Sequence, residues 1–325
     1  MPKVAEQLLP VVHVADLPHD QQAQRWLVEH LWGESSVGVI GGAPKSSKTW
    51  LGLDLALSVA TGTACLGKYA VPRPGPVLIY LAEDALPIVR ERVAGMARQR
   101  GLELAAVNLH VITAPTLQLD REPHQSRLFE TARRLRPRLL LLDPLVRLHA
   151  IDENHAGEVA GLLAYFRSLQ RQLDLSVILV HHTRKDAANG GLGLRGSSDI
   201  HAFGDSNLYL RRSREHLLLA SEHRAAPAAP PVSLQLVATD ADQTHLEVIA
   251  ELPNQQRPSL PDQVLALLPP GVVLTRARLR DTLGVKNERL GEALESLERA
   301  GRLRRTATGW QRPDSSPEDR SRSPI

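Results

Sequence analysis

The ten residues from Gly41 to Trp50, GGAPKSSKTW, hold the densest chemistry in this sequence. Set against the phosphate-loop pattern G-x-x-x-x-G-K-[ST], they give Gly42, then Ala43, Pro44, Lys45 and Ser46, then Ser47 in place of the second glycine, then Lys48 and Thr49. In such a loop successive backbone N–H groups and the positive end of the following helix converge on phosphate oxygens. The pattern makes Gly42 to Trp50 the nucleotide-binding segment, with Lys48 on the β- and γ-phosphates of ATP and Thr49 on Mg²⁺. Ser47 is the departure, because glycine accepts backbone angles that serine reaches at a cost of about 1 kcal/mol or more. A Ser/Lys-rich turn that merely caps a helix is the plainer reading.

Hydrolysis needs more than a phosphate cradle: an acid near the metal and a base to orient water. LLLLDP places Asp143 at the end of an apolar strand, within reach of a Mg²⁺ shell beside Thr49; its alternative is a turn cap before Pro144. VLIYLAEDA places Glu83 at the carboxyl end of another strand, where ligands gather in open α/β sheets, and makes it the candidate general base. Asp84 stands where it can cap the next helix, whose Pro87 suits a first turn, and a capping role is the alternative for both acids. The strand VILVHH ends in His181 and His182, which point to opposite sides. His182 is the favoured contact to the γ-phosphate, against a structural histidine. Beyond it come Arg184, Lys185, Arg195 and glycines 190, 191, 193 and 196. This reads as a mobile loop facing a polyanion, with Arg195 an arginine finger for a neighbouring subunit or one more residue of an exposed loop.

These side chains need a scaffold of alternating strands and helices. Strands are predicted at Ser36–Ile40, Val77–Ala82, Asn108–Thr113, Leu139–Asp143 and Ser176–His181, and helices at Lys48–Thr61, Leu86–Gly101, Pro123–Arg136 and His155–Leu173. The fold class is α/β: a mainly parallel sheet covered by helices on both faces, since runs such as LLLLD are apolar on both sides. Shorter segments, Asn207–Arg211, His216–Ala220, Val232–Val237 and Leu246–Glu251, suggest antiparallel strands that complete it. ELPNQQRPSLP reads as a linker. After it, DQVLALL, TRARLRDTLG and NERLGEALESLERAG are three helices, and GRLRRTATGWQR is a two-stranded wing with Gly309 near its turn. That order resembles a winged helix-turn-helix domain. The expected division is a 1–30 arm, a 31–252 ATPase domain, a 253–261 linker, a 262–313 winged-helix domain and a disordered 314–325 tail.

Composition bounds the rest. With 325 residues, 42% apolar and 23% charged, the chain is an ordinary globular protein of about two domains. The absence of long apolar runs and of a secretion-type start makes it an expected soluble, cytoplasmic protein with no membrane partner. The lone cysteine, Cys65, reads as a small buried apolar residue. Net charge is +3, and residues 261–313 carry ten Lys/Arg against six Asp/Glu. Yet the expected recognition helix, Asn287–Ala300, buries Leu290, Leu294 and Leu297 and exposes Glu288, Glu292, Glu295 and Glu298, which repel phosphate. Backbone contact through Arg276, Arg278, Arg280, Arg302, Arg304 and Arg305 fits better than base reading, and docking to another protein is the alternative. At 3% aromatic residues, a base-stacking platform is disfavoured.

The ordered series GAPKSSKT, YLAED, LLLLDPLVRLH, VILVHHTRK and LRGSS, over about residues 30–250, resembles the RecA-like ATPases of the RepA type, hexameric replicative helicases of plasmids and mobile elements. The resemblance implies that Lys48 and Thr49 bind nucleotide and Mg²⁺, that Glu83 is catalytic, Asp143 the metal-shell acid and His182 the sensor. It also implies a homo-oligomeric ring with ATP between subunits and loops near Gly190 facing single-stranded DNA. Two positions depart from the family: Ser47, and Asp205 where those helicases place an arginine finger, leaving Arg195, Arg211 or Arg212 as substitutes. A C-terminal winged helix is not a defining part of those helicases. The reading is an ATP-dependent DNA motor, helicase or loader; its rival is a nucleotide-gated DNA-binding scaffold with slow or no hydrolysis.

Overall fold

The computed structural model describes residues 11–16, 25–153, 156–182, 198–213, 216–239, 243–249, 260–285 and 287–313. Arg184, Lys185, Arg195, the glycines at 190, 191, 193 and 196, most of the expected linker and the expected tail lie outside the described residues. The chain divides into two compact units, Met1–Ala250 and Glu251–Ile325.

The first unit opens with a hairpin of β1 (Trp26–Val28) and β2 (Trp32–Gly33). Then follow β3 (Val37–Gly42), α1 (Lys48–Thr61), β4 (Val77–Leu81), α2 (Leu86–Gln99), β5 (Leu109–Val111), α3 (Glu122–Leu135), β6 (Leu139–Asp143), α4 (Ala156–Leu173) and β7 (Ser176–His182). It ends with α5 (Ser198–Phe203), β8 (Ser206–Ser213), β9 (His216–His223), β10 (Val232–Ala238) and β11 (Thr244–Val248). Among the described residues one nine-stranded sheet runs β11-β10-β9-β8-β3-β7-β6-β4-β5. From β8 to β5 every pairing is parallel, and β9 to β11 add antiparallel strands.

Fully apolar strands are what two covered faces require. In β6, Leu139 and Leu141 join the core under α1 and α2, while Leu140 and Leu142 join the core under α3 and α4. β3 runs two residues past the expected Ile40 because Gly41 and Gly42 pair with His181 and His182 on β7 and with Tyr209 and Leu210 on β8. Glycine is demanded at 42, where a Cβ would stand 2.7 Å from the Leu210 carbonyl oxygen. The expected N-terminal arm contributes core: Leu27 and Val28, with Leu31 and Trp32, are buried beside α1. Because the chain leaves β3 and re-enters the sheet at β4, with β7 and β6 between them, the carboxyl ends of the central strands open into a crevice suited to a ligand.

The second unit holds α6 (Leu260–Leu267), α7 (Arg276–Leu283), α8 (Asn287–Arg299) and a hairpin of β12 (Arg304–Arg305) and β13 (Trp310–Gln311). Thr275 caps α7, its hydroxyl accepting from the Arg278 amide at 3.2 Å. Val264, Leu268, Leu279, Leu290, Leu294, Leu297 and Trp310 form its core. Glu288, Glu292, Glu295 and Glu298 are exposed on α8, as are the arginines at 276, 278, 280, 302, 304 and 305. No described helix is long and apolar enough to cross a membrane.

Candidate nucleotide-binding site

Between β3 and α1 the chain turns sharply enough to take two non-glycine residues into the left-handed region, Lys45 at φ 61° and Ser47 at φ 64°. Ser47 is the N-cap of α1, so the serine occupies the backbone state the pattern reserves for glycine. The loop then enters α1 with its first N–H groups free of partners within the helix, the usual arrangement for holding an anion.

Lys48 begins α1 and bends back over the loop, its ammonium donating to the carbonyls of Gly42 at 3.0 Å and Ala43 at 2.9 Å. Burial lowers its pKa to about 8 against the pull of Asp143 and Glu83. Thr49, in the first turn of α1, donates its hydroxyl proton to Asp143 Oδ2 at 2.6 Å, although β7 separates β6 from β3, the strand that leads into that helix. Burial raises the Asp143 carboxyl to about 6; the Thr49 hydrogen bond and Lys48 oppose that rise, while Asp84 and Glu83 add to it. A hydroxyl and a carboxylate in contact are the hard oxygen donors Mg²⁺ takes from a protein when phosphates and waters fill its other positions. The residues therefore fit the metal, and Ser46, whose buried hydroxyl has no partner among the described residues, fits a ligand that brings acceptors.

The loop borders a cleft of about 300 Å³ that also takes in Glu83, Asp84, Arg92, Trp50 and His182. Glu83 lies just past β4, its Oε1 accepting from Arg147 Nε at 2.9 Å in an exposed ion pair. Asp84 does not cap α2. The N-cap is Ala85, with no side-chain bond, because the Asp84 carboxylate is drawn to Arg92 Nη1 at 2.5 Å, and Arg92 in turn covers the Trp50 ring at 5.3 Å. Pro87 does sit in the first turn. His182 pairs in register with Gly42 and faces the cleft, whereas His181 is buried on the other side of the strand.

Asp205 is a structural anchor: its carboxylate pairs with Arg167 and Arg224 and accepts from the Val37 amide. Arg212, two residues beyond the last β8 residue paired to β3, donates to the Lys45 carbonyl at 3.2 Å and so stands at the rim of the loop. Arg195 is outside the described residues. Sequence reasoning passed over Arg147 and Arg92. Their signal was weak, since each is one arginine among many and only the fold brings it to an acid. Cys65 is fully buried beside Asp54, and burial pushes its thiol pKa well up, as expected of an inert packing residue.

A family model for the AAA domain matches residues 3–188, more than half of the chain. The chain belongs to the AAA-domain family. The crystal structure of the RadB recombinase matches this AAA-domain protein with a TM-score of 0.50 at 16% identity, over 67% of this chain and 92% of that one. The fold of the first unit is accordingly RecA-like.

Proposed function

We propose that this AAA-domain protein is an ATPase that binds DNA and works as a ring, hydrolysing ATP at subunit boundaries to move, load or remodel. One observation carries the reading. The Thr49–Asp143 pair at 2.6 Å, the buried Lys48 and the two cleft residues Glu83 and His182 stand around one loop, and that grouping supports reading them as the metal, phosphate, base and sensor residues. Glu83 activates water, Asp143 and Thr49 hold Mg²⁺, Lys48 neutralises the β- and γ-phosphates, and His182 contacts the γ-phosphate. Hydrolysis at a subunit boundary would add a cation from a neighbouring subunit. Arg212 and Arg195 are its candidates, and a ring of six subunits around single-stranded DNA would supply it, as the likeness to RepA-type helicases implies.

The second unit we read as a winged helix whose arginines meet phosphate or whose acidic α8 meets a protein. The exposed pairing of Glu83 with Arg147 favours the second reading, a nucleotide-gated scaffold, because a base engaged by an arginine is not free to take a proton. The test is ATP turnover with and without single-stranded DNA, with Lys48→Ala as blank, alongside mass in solution with ATP. Turnover stimulated by DNA in an oligomer upholds the motor. ATP-dependent assembly without turnover replaces it with the scaffold, and failure to bind ATP overturns both.

A further inference from the structure

On the side of the sheet away from the cleft, three ionisable side chains meet at the end of β7. Successive residues of a strand face opposite sides. Ile178 and Val180 belong to the core under α1, and His182 continues that face into the cleft; Val177 and Leu179 belong to the core under α4, and His181 continues theirs. There Glu153 Oε1 lies 3.4 Å from His149 Nε2 and 3.9 Å from His181 Nδ1. The side chains of both histidines are 2% exposed and that of Glu153 is 16% exposed. A carboxylate so enclosed costs free energy unless donors and cations surround it. Burial pushes its pKa up, but His149 at 3.4 Å and the charges of His181, His149 and His182 together hold it below the usual range.

The place of Glu153 in the chain gives this cluster its meaning. It lies on the segment that leaves β6, which begins at Asp143 bonded to Thr49 and passes Arg147 bonded to Glu83. One short stretch thus touches the metal-side acid, the candidate base and, through His181, the strand end that bears His182. We propose that Glu153 is a positioning residue for hydrolysis, anchoring the end of β7 through His181 so that His182 is presented to the γ-phosphate. This rests on the ATPase reading above and assigns its sensor a support on the opposite side of β7 from the cleft.

The test compares Glu153→Gln, His182→Gln and the double variant in the full chain, by ATP turnover, by affinity for a fluorescent ATP analogue and for ADP, and by thermal unfolding. Glu153→Gln is expected to lower kcat at least tenfold and to shrink the preference for ATP over ADP by weakening ATP binding, with ADP affinity changed less than twofold. The double variant is expected to be no worse than His182→Gln, since residues acting as a unit are not additive. Unchanged kcat, additive losses, or equal loss of ATP and ADP binding would overturn the proposal. If Glu153→Gln does not fold, His149→Gln, which removes one partner and leaves the carboxylate, is read by the same measures and the same outcomes. If the wild type has no turnover, the ATPase reading fails separately, and the positioning role is then judged on the ATP-over-ADP preference alone, an unaltered preference sinking it.

Discussion

Ser47 shows how a single residue can keep a motif's geometry while breaking its letter. Its φ of 64° costs an L-residue about 1–2 kcal/mol, of which glycine would return part after about 0.5–1 kcal/mol of added unfolded-chain freedom. Ser47→Gly should therefore raise stability by about 0.5–1 kcal/mol, seen as a higher thermal midpoint, with nucleotide affinity intact; a lower midpoint would mean the serine hydroxyl contributes more than the strain costs. Asp143 stores a different cost. Its pKa of about 6 exceeds the unfolded 3.8, so ionisation destabilises the nucleotide-free fold: not at all below 3.8, increasingly between the two values, and fully above about 6. Asp143→Asn should stabilise the protein by about 1–3 kcal/mol at pH 8, at about 1.4 kcal/mol per pKa unit, with the gain vanishing as pH falls towards 3.8. Urea titrations at pH 8 and pH 4 check the sign, and Mg²⁺-dependent nucleotide binding should be lost in the same variant. At Glu83 the cost is catalytic: Glu83→Gln is expected to lower turnover by about 10²–10⁴-fold while ATP still binds, and retained turnover would remove Glu83 as the base.

At the scale of elements, the sheet's centre depends on close backbone approach. A Cβ on Gly38 of β3 would stand 1.8 Å from the Ser206 carbonyl oxygen, backbone that cannot swing aside. Gly38→Ala should cost about 3 kcal/mol by forcing β8 from β3, whereas Gly161→Ala, exposed on α4 with nothing within 4 Å, should add about 0.5–1 kcal/mol of helix stability. Denaturant midpoints of the two variants moving in the same direction would contradict the packing argument. The same strands explain what was legible. Runs such as LLLLD and VILVHH are apolar on both faces, so the core strands and the helices between them follow from periodicity to within a residue or two. The hairpin at Trp26–Gly33 straddles the expected boundary between the 1–30 arm and the ATPase domain, because two strands of three and two residues carry no period and their burial is decided by distant partners. Asp84 reads as a helix cap in sequence because its competitor, Arg92, lies eight residues on and becomes its partner only when α2 forms. The loop, Asp143 and His182 were legible because strand ends converge in any open α/β sheet. Arg147 and Glu153 were not, because their acid and histidine partners come from the ends of other strands and meet them only in the folded sheet.

For the whole molecule, the sharpest contrast is electrostatic and lies within the second unit. Arg276, Arg280 and Arg302 already bond to Asn287, Asp281 and Asp262, while α8 presents four exposed glutamates. A surface so divided can meet DNA through the hairpin arginines and still turn α8 elsewhere, and counterion release distinguishes the possibilities. Each phosphate contact contributes about 0.9 to the slope of log affinity against log salt for duplex DNA, and about 0.7 for single strands. Arg304→Ala with Arg305→Ala should therefore reduce the salt slope by about 1.4 on single strands and about 1.8 on duplex, weakening binding equally for all sequences because backbone contacts carry no base information. Glu292→Gln with Glu295→Gln supplies the complement. Affinity that rises would place α8 against the DNA backbone, and affinity that stays constant while the arginine variant loses its slope would leave α8 free to face a protein. An unchanged slope in the arginine variant would confine DNA binding to the RecA-like unit and make the second unit a docking module.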